Sequence, residues 1–509
     1  MALTFSPAKD AASGPYAASL PQVVRAKLVD DLETPVSAYL KIGHGKPYAF
    51  LYESVEGGAW RGRYSIITLD PDLVWKAEGD RAFIAKGDAV ARGAFQAEPD
   101  DALASLRRLV SASQFSLPND LPPMASGLFG VLGYDMIRLA EPLGPANPDP
   151  LNLPDAVMTR PSVVAIFDAV AQEIVLCATL WPNANLAFAD AYGAACARLE
   201  AVAAALQRPL ARSPSATPAP SPPLVSKIDS TAYGQMVQAA KRYIAAGDIF
   251  QVVPSHRFSA PFPDDPFSFY RSLRRTNPSP FLFYLNFGAF QLAGSSPEIL
   301  VRLRDGKVSI RPIAGTRPRG KTPDADLALE AELLADPKER AEHLMLLDLG
   351  RNDVGRAVAP RPGENQDFSK PRVRVTESFV IERYSHVMHI VSNVEGDAPR
   401  DLDPVDLILT ALPAGTLSGA PKVRAMQIID ELESEKRGVG YGGAAGYISA
   451  NGSVDTCIVL RTALFSDGAL YVQAGGGVVA DSDPQAEYEE TVHKSNALRR
   501  AAEEAWRFR

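Results

Sequence analysis

Apolar and polar positions alternate in short runs cut by turn pairs along most of the chain. Between Ala444 and Gln473 the pairs Asn451-Gly452 and Asp467-Gly468 separate β-prone runs, which predicts strands over Ala444–Ser449, Val454–Phe465 and Ala469–Gln473. Similar runs occur at Tyr48–Tyr52 and Arg63–Thr68 around Glu56-Gly57-Gly58, and at Gly127–Gly133. They recur at Ile249–Val253, and at Ile299–Arg304 with Lys307–Ile313 around Asp305-Gly306. Helical patterns cover Leu103–Leu109, the Ala-rich Leu186–Leu206, and a segment capped by Ser230 or Thr231 that runs to about Ala246 and stops at Gly247. Asp265-Pro266, Asp336-Pro337, Asp403-Pro404 and Asp483-Pro484 each supply a cap and a first-turn proline, and Ser418 through Pro421 open another helix. Hairpins alternating with helices predict an α+β fold rather than a doubly wound parallel sheet.

Composition adds a boundary and some exclusions. Arg208 to Pro223 is dense in Pro, Ala and Ser and cannot bury enough apolar surface to order itself. Residues 208–226 are therefore expected to link an N-terminal region, 1–207, to a domain over 227–509. A net charge of −8 with no Lys/Arg-rich run argues against nucleic acid as a partner. Cys177, Cys196 and Cys457 fit neither zinc spacing nor a disulfide framework, and no apolar run is long enough to cross a membrane. A cytoplasmic location is expected.

Candidate chemistry gathers between Tyr441 and Lys494. Arg461 interrupts an apolar strand, where an unpaired charge would be costly, and its fork suits a carboxylate. Gly475, Gly476 and Gly477 leave backbone N–H groups open to an anion. On the terminal helix Glu487, Glu490 and Lys494 share a face, and two such carboxylates suit a hard divalent cation. Glu339, three residues after Asp336, reads as the acidic member of a capping box; Glu342, a turn further in, has no such explanation. His256 and His386 read as structural.

Five segments carry a resemblance. They are Gly247-Asp248-Ile249-Phe250-Gln251-Val252-Val253-Pro254-Ser255, Pro312-Ile313-Ala314-Gly315-Thr316-Arg317-Pro318-Arg319-Gly320, Glu342-His343-Leu344-Met345-Leu346, Gly415-Thr416-Leu417-Ser418-Gly419-Ala420-Pro421-Lys422 and Asp455-Thr456-Cys457-Ile458. In this order they resemble anthranilate synthase component I, a family that uses chorismate, from about Lys46 to the C-terminus. The resemblance implies a four-layer α/β/β/α arrangement of antiparallel sheets packed face to face and covered by helices. It also implies that chorismate and ammonia give aminodeoxyisochorismate, and that loss of pyruvate then leaves anthranilate, the first step of tryptophan biosynthesis. Glu342 and Glu490 would hold Mg²⁺, with Glu339 and Glu487 supporting it through water. Chorismate would lie against Gly315, Thr316, Tyr441, Arg461, the Gly475–Gly477 backbone and Lys494. His389 would serve the pyruvate-releasing step, and Thr416 would touch substrate, cap its helix, or both.

Two positions choose within the resemblance. Aminodeoxychorismate synthases carry a nucleophilic lysine where Ala314 stands, and isochorismate-forming relatives carry a basic lysine near Gln251; neither residue here offers that chemistry. An external nucleophile is implied. None of the cysteines has the Gly-rich setting of a glutaminase nucleophile, so ammonia is expected from a separate glutamine amidotransferase subunit, component II. A tryptophan feedback pocket is implied at Glu53, Ser54, Asn277, Pro280, Phe281, Leu282 and Cys457, with Phe281 and Leu282 standing where Tyr and Met are commoner. Cys457 and Arg461, four apart on one regular strand, would face the same way and touch both pockets. The rival readings are an aminodeoxychorismate synthase and a catalytically silent tryptophan-binding subunit.

Overall fold

The computed structural model describes residues 3–54, 62–183, 185–210, 222–359, 371–384 and 387–508. The Glu56-Gly57-Gly58 turn, the centre of the expected linker and His386 lie outside the described residues. Four helices begin as the Asp-Pro pairs predict: Pro266–Thr276, Pro337–Ala357, Pro404–Ala411 and Pro484–Glu504. In each, the aspartate before the proline accepts backbone N–H groups of the first turn, satisfying donors the helix leaves open. The helix Ser230–Ala246 is capped by Asp229 rather than by Ser230 or Thr231, because a carboxylate one residue earlier reaches the amide of Ala232. Gly247 ends it in the left-handed conformation, φ 83°. The Val225–Ser226 strand pairs with Phe258 and Ser259, so ordered structure resumes inside the expected linker.

Alternating side chains place the strands in two walls. In the strand Ala156–Asp168, Val164 and Ile166 face one core while Val163, Ala165 and Phe167 face another. The core shared by Phe50, Phe129, Ile166, Phe283, Cys457 and Leu464 is built almost wholly from strands, so sheet packs on sheet there. On the outer face of one wall lie Phe188–Leu206, Pro266–Thr276 and Pro484–Glu504, contributing Leu199, Phe269 and Leu498. On the other lie Ala102–Ala112, Pro337–Ala357 and Pro404–Ala411, contributing Leu106, Leu347 and Ile408. This is the helix/sheet/sheet/helix order. Among the described residues the strands of both walls are hydrogen-bonded into one network of 22.

One device joins the walls. The long strand Tyr64–Glu78 shifts register between Pro71 and Leu73; before the shift Ile67 and Leu69 face the first helical layer, and after it Leu73, Trp75 and Ala77 face the second. The N-terminal strands also pair with later ones, Phe50–Glu53 with Phe281–Asn286 and Gly127–Leu132 with Ala444–Ser449.

The expected strand Val454–Phe465 is two strands, Val454–Ile458 and Thr462–Ser466. The first pairs with Ile299–Arg304 in one wall, the second with Phe290–Ser296 in the other. Arg461 makes the crossing with φ 50°, a left-handed conformation uncommon outside glycine, Asn and Asp. Even spacing therefore does not put Cys457 and Arg461 on one face.

Candidate functional site

The site lies where the chain crosses twice between the walls. Pro297-Glu298 links Phe290–Ser296 to Ile299–Arg304, and Val459–Arg461 makes the return crossing. Glu298 is 7% exposed, and burial pushes its carboxyl up to about 8, against the opposing pulls of Thr416 and Arg461. Thr416 Oγ1 donates to Glu298 Oε2 at 3.2 Å, from a single 3₁₀ turn over Gly415–Leu417. Thr416 does not cap the helix that follows, Lys422–Leu432, whose cap position is Pro421.

Arg461 is pulled below its ordinary value by burial and held up chiefly by Glu298. Among the described residues no hydrogen bond or ion pair reaches its guanidinium. A half-buried fork that no side chain engages has the chemistry to take a carboxylate.

His389 lies on Val387–Asp397, opposite Thr316 of the strand Ile313–Pro318. Its Nδ1 is 3.0 Å from the Gly315 carbonyl and 3.1 Å from Thr316 Oγ1. A carbonyl only accepts, so that bond assigns the proton to Nδ1 and leaves Nε2 as the basic nitrogen. Burial lowers the imidazole's pKa, which favours the neutral ring. Gly315 sits at a register shift with φ 68°, and an added Cβ would lie 3.1 Å from Glu339 Oε2.

The glycine triplet is held by its own set of contacts. Gly475 ends the strand Ala469–Gly475 and pairs with Ser255, while the buried Tyr441 brings its hydroxyl to the Gly475 backbone. A Cβ on Gly477 would meet Gln251 Nε2 at 2.6 Å. Of the three amides, that of Gly476 donates inward, to Pro254 O at 3.3 Å and Tyr233 Oη at 3.2 Å. It is not available to a ligand as the sequence suggested.

The acids come from the first two turns of two helices, Glu339 and Glu487 from the first and Glu342 and Glu490 from the second. Glu342 is raised by burial and then by Glu339 and Glu490; Glu487 is raised by burial and by Glu490, with Ser482 and Lys494 opposing. Four carboxylates thus crowd one place. Lys494 Nζ lies 2.7 Å from Glu490 Oε1 and 3.0 Å from the Gly475 carbonyl, so it joins the acids to the glycine turn rather than standing free. Glu339 does not close a capping box: Asp336 accepts its amide, but its carboxylate turns to Arg317 Nη1 at 3.1 Å. Among the described residues no three metal-type ligands form a ready-made cage. Glu487 Oε2 is nevertheless buried without a hydrogen bond. Crowded acids and an orphaned oxygen fit a hard cation whose remaining positions go to water and substrate.

A second cavity of about 770 Å³, counted to its open mouth, is lined by Glu53, Ser54, Phe281, Leu282 and Cys457 among others. Glu53 accepts from Tyr270 Oη at 2.5 Å and Arg274 Nε at 2.9 Å; Ser54 Oγ accepts from Gly62 N–H at 2.8 Å. Asn277 and Pro280 are not part of its lining: Asn277 ends the helix Pro266–Thr276, and Pro280 precedes Phe281. His256 is bonded to Ser226 Oγ and Thr491 Oγ1 and pushed down to about 4 by burial.

Glu298 was not singled out from the sequence. Its signal is an acid directly after Ser295-Ser296-Pro297 and before the apolar Ile299-Leu300, a place where a charge must be buried.

With this geometry, the comparisons with known proteins define the class. Residues 48–500 match the chorismate binding enzyme family, and the chain belongs to it. Within that class it is 55% identical over 488 residues to anthranilate synthase component 1 of Cereibacter sphaeroides, covering 96% of this chain and 95% of that protein. It is 46% identical over 477 residues to the Pseudomonas putida component 1, covering 92% and 93%. The crystal structure of anthranilate synthase component I from Streptococcus pneumoniae superposes with a TM-score of 0.74 at 34% identity, over 93% of this chain and 98% of that one. A menaquinone-specific isochorismate synthase from Escherichia coli shares the fold, with a TM-score of 0.68 at 19% identity, over 95% of this chain and 94% of that one. No helix among the described residues is long and apolar enough to cross a membrane.

Proposed function

We propose that the chain is the chorismate-handling subunit of an anthranilate synthase, a lyase that makes anthranilate and pyruvate from chorismate and ammonia. The observation that carries the reading is the meeting, at two adjacent crossings, of a buried acid that burial pushes toward its protonated form with a half-buried guanidinium that no hydrogen bond or ion pair reaches among the described residues. Arg461 and the Gly477 amide would hold chorismate carboxylates, with Tyr441 and Thr316 forming walls. Ammonia forms the new C–N bond on the ring while the ring C–OH bond breaks and the double bonds shift. Glu298 gives its proton to the departing oxygen, which leaves as water, and the ammonium formed loses a proton. In the second step His389 Nε2 removes the proton from the carbon that bears nitrogen, and the enolpyruvyl group leaves as pyruvate. Ala314 and Gln251 offer no competing nucleophile or base.

Glu342 and Glu490 would hold Mg²⁺, with Glu339 and Glu487 nearby. Bound there, the ion would neutralise charge on the substrate carboxylate. Ammonia would come from a glutamine amidotransferase subunit, and tryptophan would inhibit by filling the Ser54–Cys457 cavity. Incubating the chain with chorismate, ammonium and Mg²⁺ tests the reading: anthranilate and pyruvate should form in equal amounts. Isochorismate, or an aminated product without pyruvate, would overturn it.

A further inference from the structure

Arg437 is a fully buried cation that the proposed chemistry does not use. It is 4% exposed, and its partner Glu433 is 6% exposed. Nη1 donates to the Leu417 carbonyl at 2.6 Å, Nη2 to the Val253 carbonyl at 2.7 Å, and Nε to Glu433 Oε2 at 3.0 Å. The guanidinium carbon lies 4.8 Å from the Tyr134 ring centre and 5.3 Å from that of Tyr441. Glu433 Oε1 in turn accepts from both the N–H and the hydroxyl of Ser255, each at 2.8 Å.

Three of these contacts lead to groups placed in the site. Leu417 follows Thr416 in the same 3₁₀ turn. Ser255 pairs directly with Gly475, and Tyr441 places its hydroxyl on the Gly475 backbone. Next along the chain, the Gly438 amide donates to Asp135 Oδ2 at 3.0 Å, fixing the same loop to the N-terminal region. A buried ion pair is a poor source of stability, since apolar residues of like volume commonly serve as well. A rigid planar fork with five donors does something they cannot: it fixes the directions of several partners at once.

We propose that Arg437, oriented by Glu433, is a positioning residue that holds the Thr416 turn, Tyr441 and the Gly475 end of the glycine turn in the mutual register chorismate requires. The inference rests on the site's being the chorismate site. It predicts that loosening the clasp misplaces the substrate's walls without touching the route of ammonia.

The test is steady-state kinetics of the full chain with ammonium as the amine, on Arg437→Lys, Arg437→Met and Glu433→Gln. Arg437→Met should raise the chorismate KM by about tenfold or more and lower kcat, and Arg437→Lys should recover only part of the loss; the ammonium KM should stay within about twofold. If Arg437→Met gives no folded protein by circular dichroism, Arg437→Lys and Glu433→Gln carry the test alone. A fall in kcat matching the lost folded fraction, with chorismate KM unchanged, overturns the proposal, because a purely structural pair only reduces the number of active molecules. An inactive wild-type chain would instead refute the reading of the site.

Discussion

Glu298 and Arg461 are tied to each other's crossing by backbone hydrogen bonds: the Ile458 amide donates to the Glu298 carbonyl at 3.1 Å, and the Ser295 amide to the Arg461 carbonyl at 3.2 Å. Two crossings side by side place an acid and a cation from distant parts of the chain near each other. Neither could be a lone charge in a continuous strand; at a crossing, the backbone is fixed while the side chain enters the space between the walls.

The raised carboxyl of Glu298 has a pH signature. It is protonated below about 8, so the rate per free ammonia molecule should be level there and fall as pH rises beyond that value. Because the folded state binds this proton more tightly than the unfolded chain, stability should also decline as pH rises from about 4.5 to about 8. Glu298→Gln should lower kcat by roughly 10²-fold or more and abolish both trends. Retention of the high-pH limb in the variant would assign it to another group.

Arg461 predicts opposite signs for function and stability. Its charge is disfavoured by burial more than Glu298 supports it, and no hydrogen bond or ion pair reaches it among the described residues. Arg461→Met should therefore melt at or above the wild-type temperature while the chorismate KM rises by about 10- to 100-fold. Arg461→Lys should resemble it in KM, because one ammonium cannot replace a two-pronged grip. A lower melting temperature with unchanged KM would make Arg461 a structural residue.

Local signals in the sequence were read where local forces decide. Asp265, Asp336, Asp403 and Asp483 cap their helices, and Asn451-Gly452, Asp305-Gly306 and Asp467-Gly468 turn their hairpins, because caps and turns are settled within a few residues. The break at Arg461 was not legible: no Gly, Pro or turn pair interrupts Val454 to Phe465, and only pairing with two different partners splits it. The same holds for Glu298, whose neighbours Thr416 and Arg461 are more than a hundred residues away. The inward turn of the Gly476 amide depends on Tyr233 and Pro254, which no glycine pattern reveals.

The crowded acids predict a magnesium-dependent shift that can be seen without turnover. Mg²⁺ should raise the melting temperature of the wild-type chain, and Glu342→Gln or Glu490→Gln should shrink that rise as well as abolish activity. Glu339→Gln should weaken the shift less, since its carboxylate is already bonded to Arg317. Equal shifts in wild type and Glu342→Gln would remove Glu342 from the metal site.

The second cavity predicts a separable regulatory loss. Ser54→Phe puts a ring into the space beside Phe281 and Cys457 and also removes the acceptor for the Gly62 amide. The ammonium-dependent rate should stay within about twofold of wild type, while inhibition by tryptophan falls by about tenfold or more. Unchanged inhibition would mean that tryptophan binds elsewhere.

The glycine turn separates folding from binding by position. At Gly475 an added Cβ would stand 2.7 Å from the Pro254 carbonyl and 2.9 Å from Tyr441 Oη, both held by their own bonds. Gly475→Ala should therefore destabilise the protein by about 1–3 kcal/mol. At Gly477 the obstacle is Gln251 Nε2, the end of a side chain that can swing away, so Gly477→Ala should melt close to wild type. Its methyl would still stand beside the amide proposed to hold a chorismate carboxylate, and the chorismate KM should rise by about tenfold. The double variant Gly477→Ala, Gln251→Ala relieves the contact without removing the methyl, so it should regain any lost stability but not the lost affinity. Recovery of affinity in the double variant would show that Gln251, not the Gly477 backbone, was the obstacle to chorismate.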